Sequence, residues 1–374
     1  MPKISLNVRG SSTIKNIIFS NIILLQGKNK LAKCPNGINM RFLPMKKYQK
    51  VMGCMATNFL TREAIYPFYA SYKITNKCNM RCKFCNVWME KTHVLPTEEV
   101  FKVLDNLANS SIALVSLEGG EPLRRKDLGE ILRYAHTKPF YLFFTTNGLL
   151  LDKAPMEDYA KYIDYLHISI DEGHENLDML ERLEEFQKFA PVCVQTVVTN
   201  EDIGTLEDKV RLIYKANART VVMPAVHLAN TDNYYPDTEN FIKEIKRLKR
   251  TYKNTITTPY GFLNRINRPQ GCSTSSIIID CDGVMFYPCR IMLQKTCDLT
   301  KVSLMEYLSS EEAGRYRAQM MACNRRCGWY QYFATNSFTS LWEFFSAIKP
   351  YYDDILLNGK QAKNSPANKN ITTS

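Results

Sequence analysis

The sequence predicts an α/β protein: a partial (β/α)6 barrel followed by a small cysteine-rich C-terminal extension. Three observations carry that prediction. Short β-rich runs alternate with helical patterns six times between residues 70 and 252, the signature of a parallel sheet with helices outside. Gly, Asn, Thr, Ser and acidic residues gather where those strands end, which is where such barrels carry their chemistry. Six of the chain's 12 cysteines fall after a Pro/Gly-marked joint at Pro269–Gly271, in a region of different pattern. These changes divide the chain into a basic amphipathic region (1–65), the barrel (66–265), the cysteine-rich extension (266–335) and a last helical segment with a polar tail (336–374).

The elements follow in order. Ser71–Thr75 reads as the first strand, and Thr97–Leu107 as a helix with Thr97 as N-cap and two glutamates in its first turn. Ile112–Leu117 is the second strand, with a helix across Lys126–His136. Tyr141–Thr145 is the third, with Met156–Tyr162 starting a helix. Tyr165–Ile170 is the fourth, before a helix over Glu175–Phe189. Val192–Val198 and Thr220–Val226 complete the set, followed by helices at Leu206–Ala218 and Thr238–Tyr252. In the extension, Ile277–Met285 reads as a β-hairpin turning at Asp282-Gly283.

Charge is distributed unevenly. Residues 1–77 hold thirteen Lys/Arg and one acid, Glu63, which equals the whole net charge of +12, and the remainder is neutral. Ile14, Ile17, Ile18, Ile22 and Leu25 recur at helical spacing, and Lys28, Lys30, Lys33, Arg41, Lys46, Lys47 and Lys50 follow. This stretch reads either as a helix lying on an anionic membrane surface or as one docked on the body beside a solvated basic loop. The run is too interrupted to span a bilayer, and no small-residue cleavage site marks a secretory signal. A cytoplasmic protein is expected, either free or peripheral at the inner face of the membrane. Zinc-finger spacing and RRM-like motifs are missing, so no nucleic-acid partner is expected.

With no secretory signal, twelve cysteines point to metal or cluster binding rather than disulfides. Cys78, Cys82 and Cys85 stand on one tight loop directly after the first strand. Three thiolates can hold three corners of a [4Fe–4S] cube and leave the fourth iron open to an outside ligand. A zinc loop with His93 as fourth ligand is the alternative, but it gives no reason for Gly119-Gly120-Glu121-Pro122 at the end of the next strand.

This combination, with Phe84 before the last cysteine, resembles the radical SAM superfamily over roughly residues 70–250. The resemblance implies a radical SAM barrel in which Cys78, Cys82 and Cys85 bind the cluster and S-adenosylmethionine chelates its open iron. One-electron cleavage of that cofactor would give a 5′-deoxyadenosyl radical that attacks an unactivated carbon. Gly119 and Gly120 would let backbone approach the methionyl amine, and Glu121 would steady the loop or pair with Arg124 or Arg125. Ser169 and Asp171 would lie near the ribose and methionine ends, with Asn147 and Gln195 as further polar contacts or ordinary barrel-mouth hydrogen bonding. No catalytic residue beyond the cluster is assigned, and the partner implied is an electron donor such as ferredoxin or flavodoxin.

The extension resembles the SPASM and twitch iron–sulfur extensions of that superfamily. Cys272, Cys289, Cys323 and Cys327 are the expected ligands of an auxiliary [4Fe–4S] cluster, with Cys281 and Cys297 as alternates or ligands of a second; zinc or free buried thiols remain the other reading. The pairing of Cys272, Pro288-Cys289 and Cys323-xxx-Cys327-Gly328 is also similar to a lipid-modifying branch, the hopanoid adenosyl-transferring enzymes and calditol synthase. A membrane lipid or its headgroup is therefore the expected substrate. A peptide or protein maturase is the alternative, and a non-catalytic iron–sulfur electron carrier is the alternative of a different class. A second aromatic-rich amphipathic segment, residues 341–357, fits a lipid surface and core packing equally, and a polar, disordered tail is expected from 359 to 374.

Overall fold

The computed structural model describes residues 42–226, 234–266, 271–273, 275–325 and 327–335. The amphipathic run at 14–25, the basic residues up to Arg41, the segment 341–357 and the tail lie outside them. Contacts group residues 41–355 into one compact unit.

A first helix, α1 (Met45–Thr61), precedes the barrel. The strands β1 (Tyr69–Thr75), β2 (Leu114–Gly119), β3 (Tyr141–Thr146), β4 (Tyr165–Ser169), β5 (Val192–Val198) and β6 (Arg219–Pro224) pair in parallel, each with the next. Between and after them run α2 (Thr97–Ala108), α3 (Leu128–His136), the short α4 (Met156–Tyr159) and α5 (Leu183–Phe186), α6 (Leu206–Lys215), α7 (Thr238–Thr251) and α8 (Tyr260–Ile266). The extension adds β7 (Ser276–Ile279), β8 (Val284–Phe286), β9 (Lys295–Asp298), α9 (Leu304–Leu308), α10 (Glu311–Met321) and α11 (Tyr330–Thr335). The α/β class, the six-strand barrel and the hairpin at Asp282-Gly283 agree with the sequence reading.

Strand parity builds the two faces of the sheet. Ala70, Tyr72 and Ile74 on β1, Val115 and Leu117 on β2, and Leu142 and Phe144 on β3 are buried in one core with α2 residues Val100, Val103, Leu104 and Leu107. Buried parallel strands usually read as continuous apolar runs. Here the alternate positions are polar or aromatic: Ser71, Ser116, Glu118, Phe143, Thr145, Tyr165, His167 and Gln195. Ser116 Oγ meets Thr145 Oγ1 at 3.1 Å, and the rings of Phe143 and His167 meet edge-on at 5.1 Å. The inner face is thus equipped to meet a polar ligand.

Local structure departs from the sequence reading at three places. Thr97 does not cap α2, because Pro96 precedes the first turn and the Thr97 hydroxyl instead donates to Asp127 (2.6 Å). The expected helix over 175–189 is broken into a 3-10 segment, Leu177–Arg182, and α5. Glu175 stands at φ 49°, closing a tight turn that the Asp171 carboxylate begins by accepting from His174 N, so a helix cannot pass through it. The extension, read only as a hairpin with cysteines, also continues the barrel's own sheet. β7 pairs in parallel with β1, giving the order β6-β5-β4-β3-β2-β1-β7-β8-β9 among the described residues.

Part of the basic N-terminal charge has structural work. Lys47 is buried and donates to Ala108 O (3.0 Å) and Ser110 O (2.9 Å), while Lys50 donates to Asn109 O. Two of the seven lysines and arginines that follow the amphipathic run are therefore spent on the open carbonyls at the end of α2.

Candidate active site at the strand ends

The loop after β1 is positioned mainly by backbone. Gly120 N donates to Thr75 O (2.7 Å) and Glu121 N to Lys77 O (2.8 Å), tying the end of β2 to the residues just before Cys78. Arg124 Nη1 donates to Cys78 O (2.7 Å), and Asn147 Nδ2 to Asn79 Oδ1 (2.8 Å). The glycine pair is required by that approach: a Cβ on Gly120 would lie 2.5 Å from Lys77 O, and one on Gly119 would collide with Thr75 O. The neighbour that demands glycine here is the β1 loop itself.

Glu121 is fully buried and makes no ion pair among the described residues. Its carboxylate accepts from Leu123 N (3.0 Å), Thr146 Oγ1 (2.9 Å) and Asn147 N (2.8 Å), so it locks β2 to the end of β3. Burial pushes its pKa up, against those three donors. The arginines serve elsewhere: Arg125 binds Asp127 (2.6 Å) and the carbonyls of Ile74 and Leu95.

Cys78, Cys82 and Cys85 line one cavity of about 220 Å³ together with Gly119, Gly120, Thr145, Asn147, Ser169 and His174. Ser169 and Asn147 therefore share the cavity with the cysteines. Asp171 and Gln195 point elsewhere. Asp171 is fully buried and accepts from His174 Nδ1 (2.8 Å) and Val197 N (3.0 Å), and Gln195 Nε2 donates to His167 Nδ1 (2.9 Å). Asp171 acts on the cavity through His174. Burial alone would lower that imidazole's pKa, but Asp171 and Cys82 outweigh it and raise it to about 10. Phe84 packs against Gly173 and meets the His174 ring edge-on at 5.4 Å. His93 is exposed outside this cavity, and among the described residues no three His, Cys, Asp or Glu converge on a single ion.

The donor set fits a cluster. Three soft sulfur donors face one cavity, and burial pushes the Cys78 thiol up and Cys85 to about 11. A cationic iron core would offset the cost of ionising them.

A second cavity, about 20 Å³, is lined by Cys272, Cys289, Cys323 and Cys327 with Met320, Arg325 and Tyr332. Gly271 N donates to Cys323 O (3.0 Å) and Cys272 N to Met320 O (3.0 Å), which brings the segment after the joint against the end of α10. Burial and the neighbouring sulfurs push Cys272 well up, and burial leads the rise of Cys327 to about 11. Four sulfurs in one dry cavity again fit a thiophilic centre. The alternates do not join them: Cys281 is buried beside Thr92 O (3.8 Å), and Cys297 pairs with Met285 in the β8–β9 ladder and packs in the main core.

Sequence reasoning missed His174 and Glu118, and offered Arg124 only as a partner of Glu121, whereas it holds the Cys78 carbonyl. Glu118 lines the first cavity and could have been found from strand parity, two residues from Ser116 on the inner face. Burial drives its pKa to about 7, with Arg290, Lys73 and a hydrogen bond from Gln331 holding it back. The folded chain therefore binds this proton more tightly than the unfolded chain. The stability it contributes is fully present below about pH 4.5 and is lost as pH rises through 7. Glu118→Gln is expected to stabilise the metal-free protein at pH 8, by up to about 3 kcal/mol, and to have far less effect at pH 4.5. Thermal melts of both proteins at the two pH values check this.

A parallel α/β barrel with a three-cysteine loop and a backbone glycine clamp at its strand ends defines a cluster-dependent enzyme class. Residues 72–242 match the model of the Radical SAM superfamily. The cofactors of that family are a [4Fe–4S] cluster and S-adenosylmethionine. The chain is 34% identical over 101 residues to the PqqA peptide cyclase of Granulibacter bethesdensis, covering 26% of this chain and 27% of that protein. It is 30% identical over 167 residues to the GTP 3′,8-cyclase of Nautilia profundicola, covering 42% and 48%. The matches thus span between a quarter and a half of those relatives. Streptococcus suis SuiB bound to its precursor peptide SuiA shares the fold, with a TM-score of 0.58 at 15% identity over 84% of this chain and 81% of that one.

Proposed function

We propose that this chain is a radical SAM enzyme acting on a peptide or protein. In this reading Cys78, Cys82 and Cys85 hold the [4Fe–4S] cluster, and S-adenosylmethionine occupies the same cavity beside Gly119, Gly120, Asn147 and Ser169. Cys272, Cys289, Cys323 and Cys327 hold one auxiliary cluster. The observation that carries the assignment is the single 220 Å³ cavity shared by the three cysteines and the glycine pair. When bound, cluster and cofactor supply reductive cleavage of the sulfonium and hence hydrogen abstraction from an unactivated carbon. The chain's own residues orient and enclose. Glu121 fixes the ends of β2 and β3, Arg124 holds the Cys78 carbonyl, and Phe84 with His174 walls the cavity from solvent. An electron donor such as ferredoxin or flavodoxin is the partner this chemistry needs.

The peptide reading replaces the expected lipid substrate. A peptide cyclase is among the relatives, and the fold is shared with a peptide-bound enzyme. The lipid reading leaned on the likeness of Cys272, Pro288-Cys289 and Cys323-xxx-Cys327-Gly328 to a lipid-modifying branch, on amphipathic segments outside the described residues, and on a basic run in which Lys47 and Lys50 cap α2. Among the described residues no helix is long and apolar enough to cross a membrane. The test is anaerobic reduction with S-adenosylmethionine in the presence of a peptide fraction, a nucleoside triphosphate mixture or a total lipid extract, followed by mass spectrometry. Mass-shifted peptides with 5′-deoxyadenosine support the proposal; mass-shifted lipid or nucleotide alone overturns the substrate.

The auxiliary cluster has its own expected result. After Cys78, Cys82 and Cys85 are all replaced by Ala, iron and sulfide are expected to persist with a paramagnetic signal on reduction. A folded, iron-free triple variant would reassign the second cavity to zinc or to free thiols.

A further inference from the structure

The first cavity carries an acid that neither a cluster nor the glycine clamp requires. Glu118 stands opposite Lys73 in the β1–β2 register, immediately before Gly119, and lines the cavity between the cysteine loop and the ends of β3 and β4. Beside it lies a charge network in which Lys73, Asp280 and Arg290 are buried and Lys295 is exposed. Lys73 pairs with Glu90 and Asp280, Arg290 with Glu90, and Lys295 with Asp280 and Asp282. Three cations thus meet three acids, and that network is neutral without Glu118. Among the described residues Glu118 has no ion pair; Arg290 and Lys73 act on it from a distance, and Gln331 supplies a hydrogen bond. One carboxylate in excess therefore borders the cavity, where low dielectric strengthens any charge it meets.

We propose that Glu118 is a cation-binding residue of this cavity, taking up a positively charged group of the bound molecule. Two sources offer that chemistry: the sulfonium or α-ammonium of S-adenosylmethionine, and an ammonium on a peptide substrate. The inference rests on the assignment of S-adenosylmethionine to this cavity. Glu118 lies on the β2 wall next to the residues assigned to hold the cofactor, so it faces either the cofactor or what is brought against it.

The test uses anaerobically reconstituted full-length protein, wild type and Glu118→Gln, with iron content and circular dichroism matched. Equilibrium dialysis measures S-adenosylmethionine, S-adenosylhomocysteine and 5′-methylthioadenosine. In the presence of S-adenosylmethionine it also measures an acetylated alanine hexapeptide bearing one lysine and its norleucine counterpart. Losing a charge-assisted contact is expected to weaken the affected cation by about tenfold or more and leave neutral probes unchanged. Weakening of S-adenosylmethionine alone supports the proposal and assigns the sulfonium. Weakening shared with S-adenosylhomocysteine but not methylthioadenosine supports it and assigns the α-ammonium. Selective weakening of the lysine peptide supports it and assigns the substrate. Equal binding by both proteins in every arm, or a loss that includes methylthioadenosine, overturns it. If the iron-loaded wild type itself fails to bind S-adenosylmethionine, the cofactor assignment falls, and this inference falls with it.

Discussion

Replacing Cys78, Cys82 and Cys85 together by Ala is expected to abolish S-adenosylmethionine cleavage and to remove about four irons per chain, the content of one cube. The fold should survive. The loop is held through Gly120 N, Glu121 N and Arg124, none of which needs a cysteine side chain. Iron and sulfide assays, electron paramagnetic resonance and mass spectrometry of 5′-deoxyadenosine check the result. Unchanged iron with full 5′-deoxyadenosine production would remove the cluster from this loop.

Gly120→Ala should be nearly as damaging without touching a ligand. The added Cβ would sit 2.5 Å from Lys77 O, and the obstacle is backbone locked in a hydrogen-bonded ladder, not a side chain that can rotate away. Either β2 or the cysteine loop must move, at a cost of about 3 kcal/mol or more. A lower melting temperature and lost cluster retention are expected together. Gly53→Ala is the control of opposite sign: Gly53 lies within α1 with nothing within 4 Å of a new Cβ, so a gain of about 0.5–1 kcal/mol is expected. A Gly120→Ala protein as stable and as iron-rich as wild type would contradict the clamp.

What the sequence made legible was periodic or punctuated. The six strands are short β-rich runs separated by helical patterns, and Cys78, Cys82, Cys85, Gly119 and Gly120 stand at strand ends, so their convergence at one end came from the barrel rule alone. Partners distant in the chain stayed hidden. Nothing in Ile277–Ile279 says that this strand adds to β1, since its apolar run suits any buried edge. Asp171 read as a cofactor contact because the family resemblance places a group there near the cofactor, whereas its carboxylate is consumed by His174 and Val197 N, one local and one from the neighbouring strand. Glu118 was overlooked because an acid beside a glycine motif looks like strand-end polarity until parity is traced across β2.

The parallel pairing of β7 with β1 carries a further consequence, for aggregation. In a chain ending at residue 266, Tyr69–Tyr72 would lose the neighbours Ser276–Ile279, leaving the backbone of a central strand open along one side. Of the usual protections of a sheet margin, β1 has only the charge of Lys73. It has no proline, and its Ala70, Tyr72 and Ile74 are apolar and fully buried in the intact chain. Such an unpaired, largely apolar margin is a template for association with other copies. The extension thus acts as the barrel's edge guard as well as the carrier of the four cysteines of the second cavity, and loss of activity on its removal would measure solubility as much as catalysis.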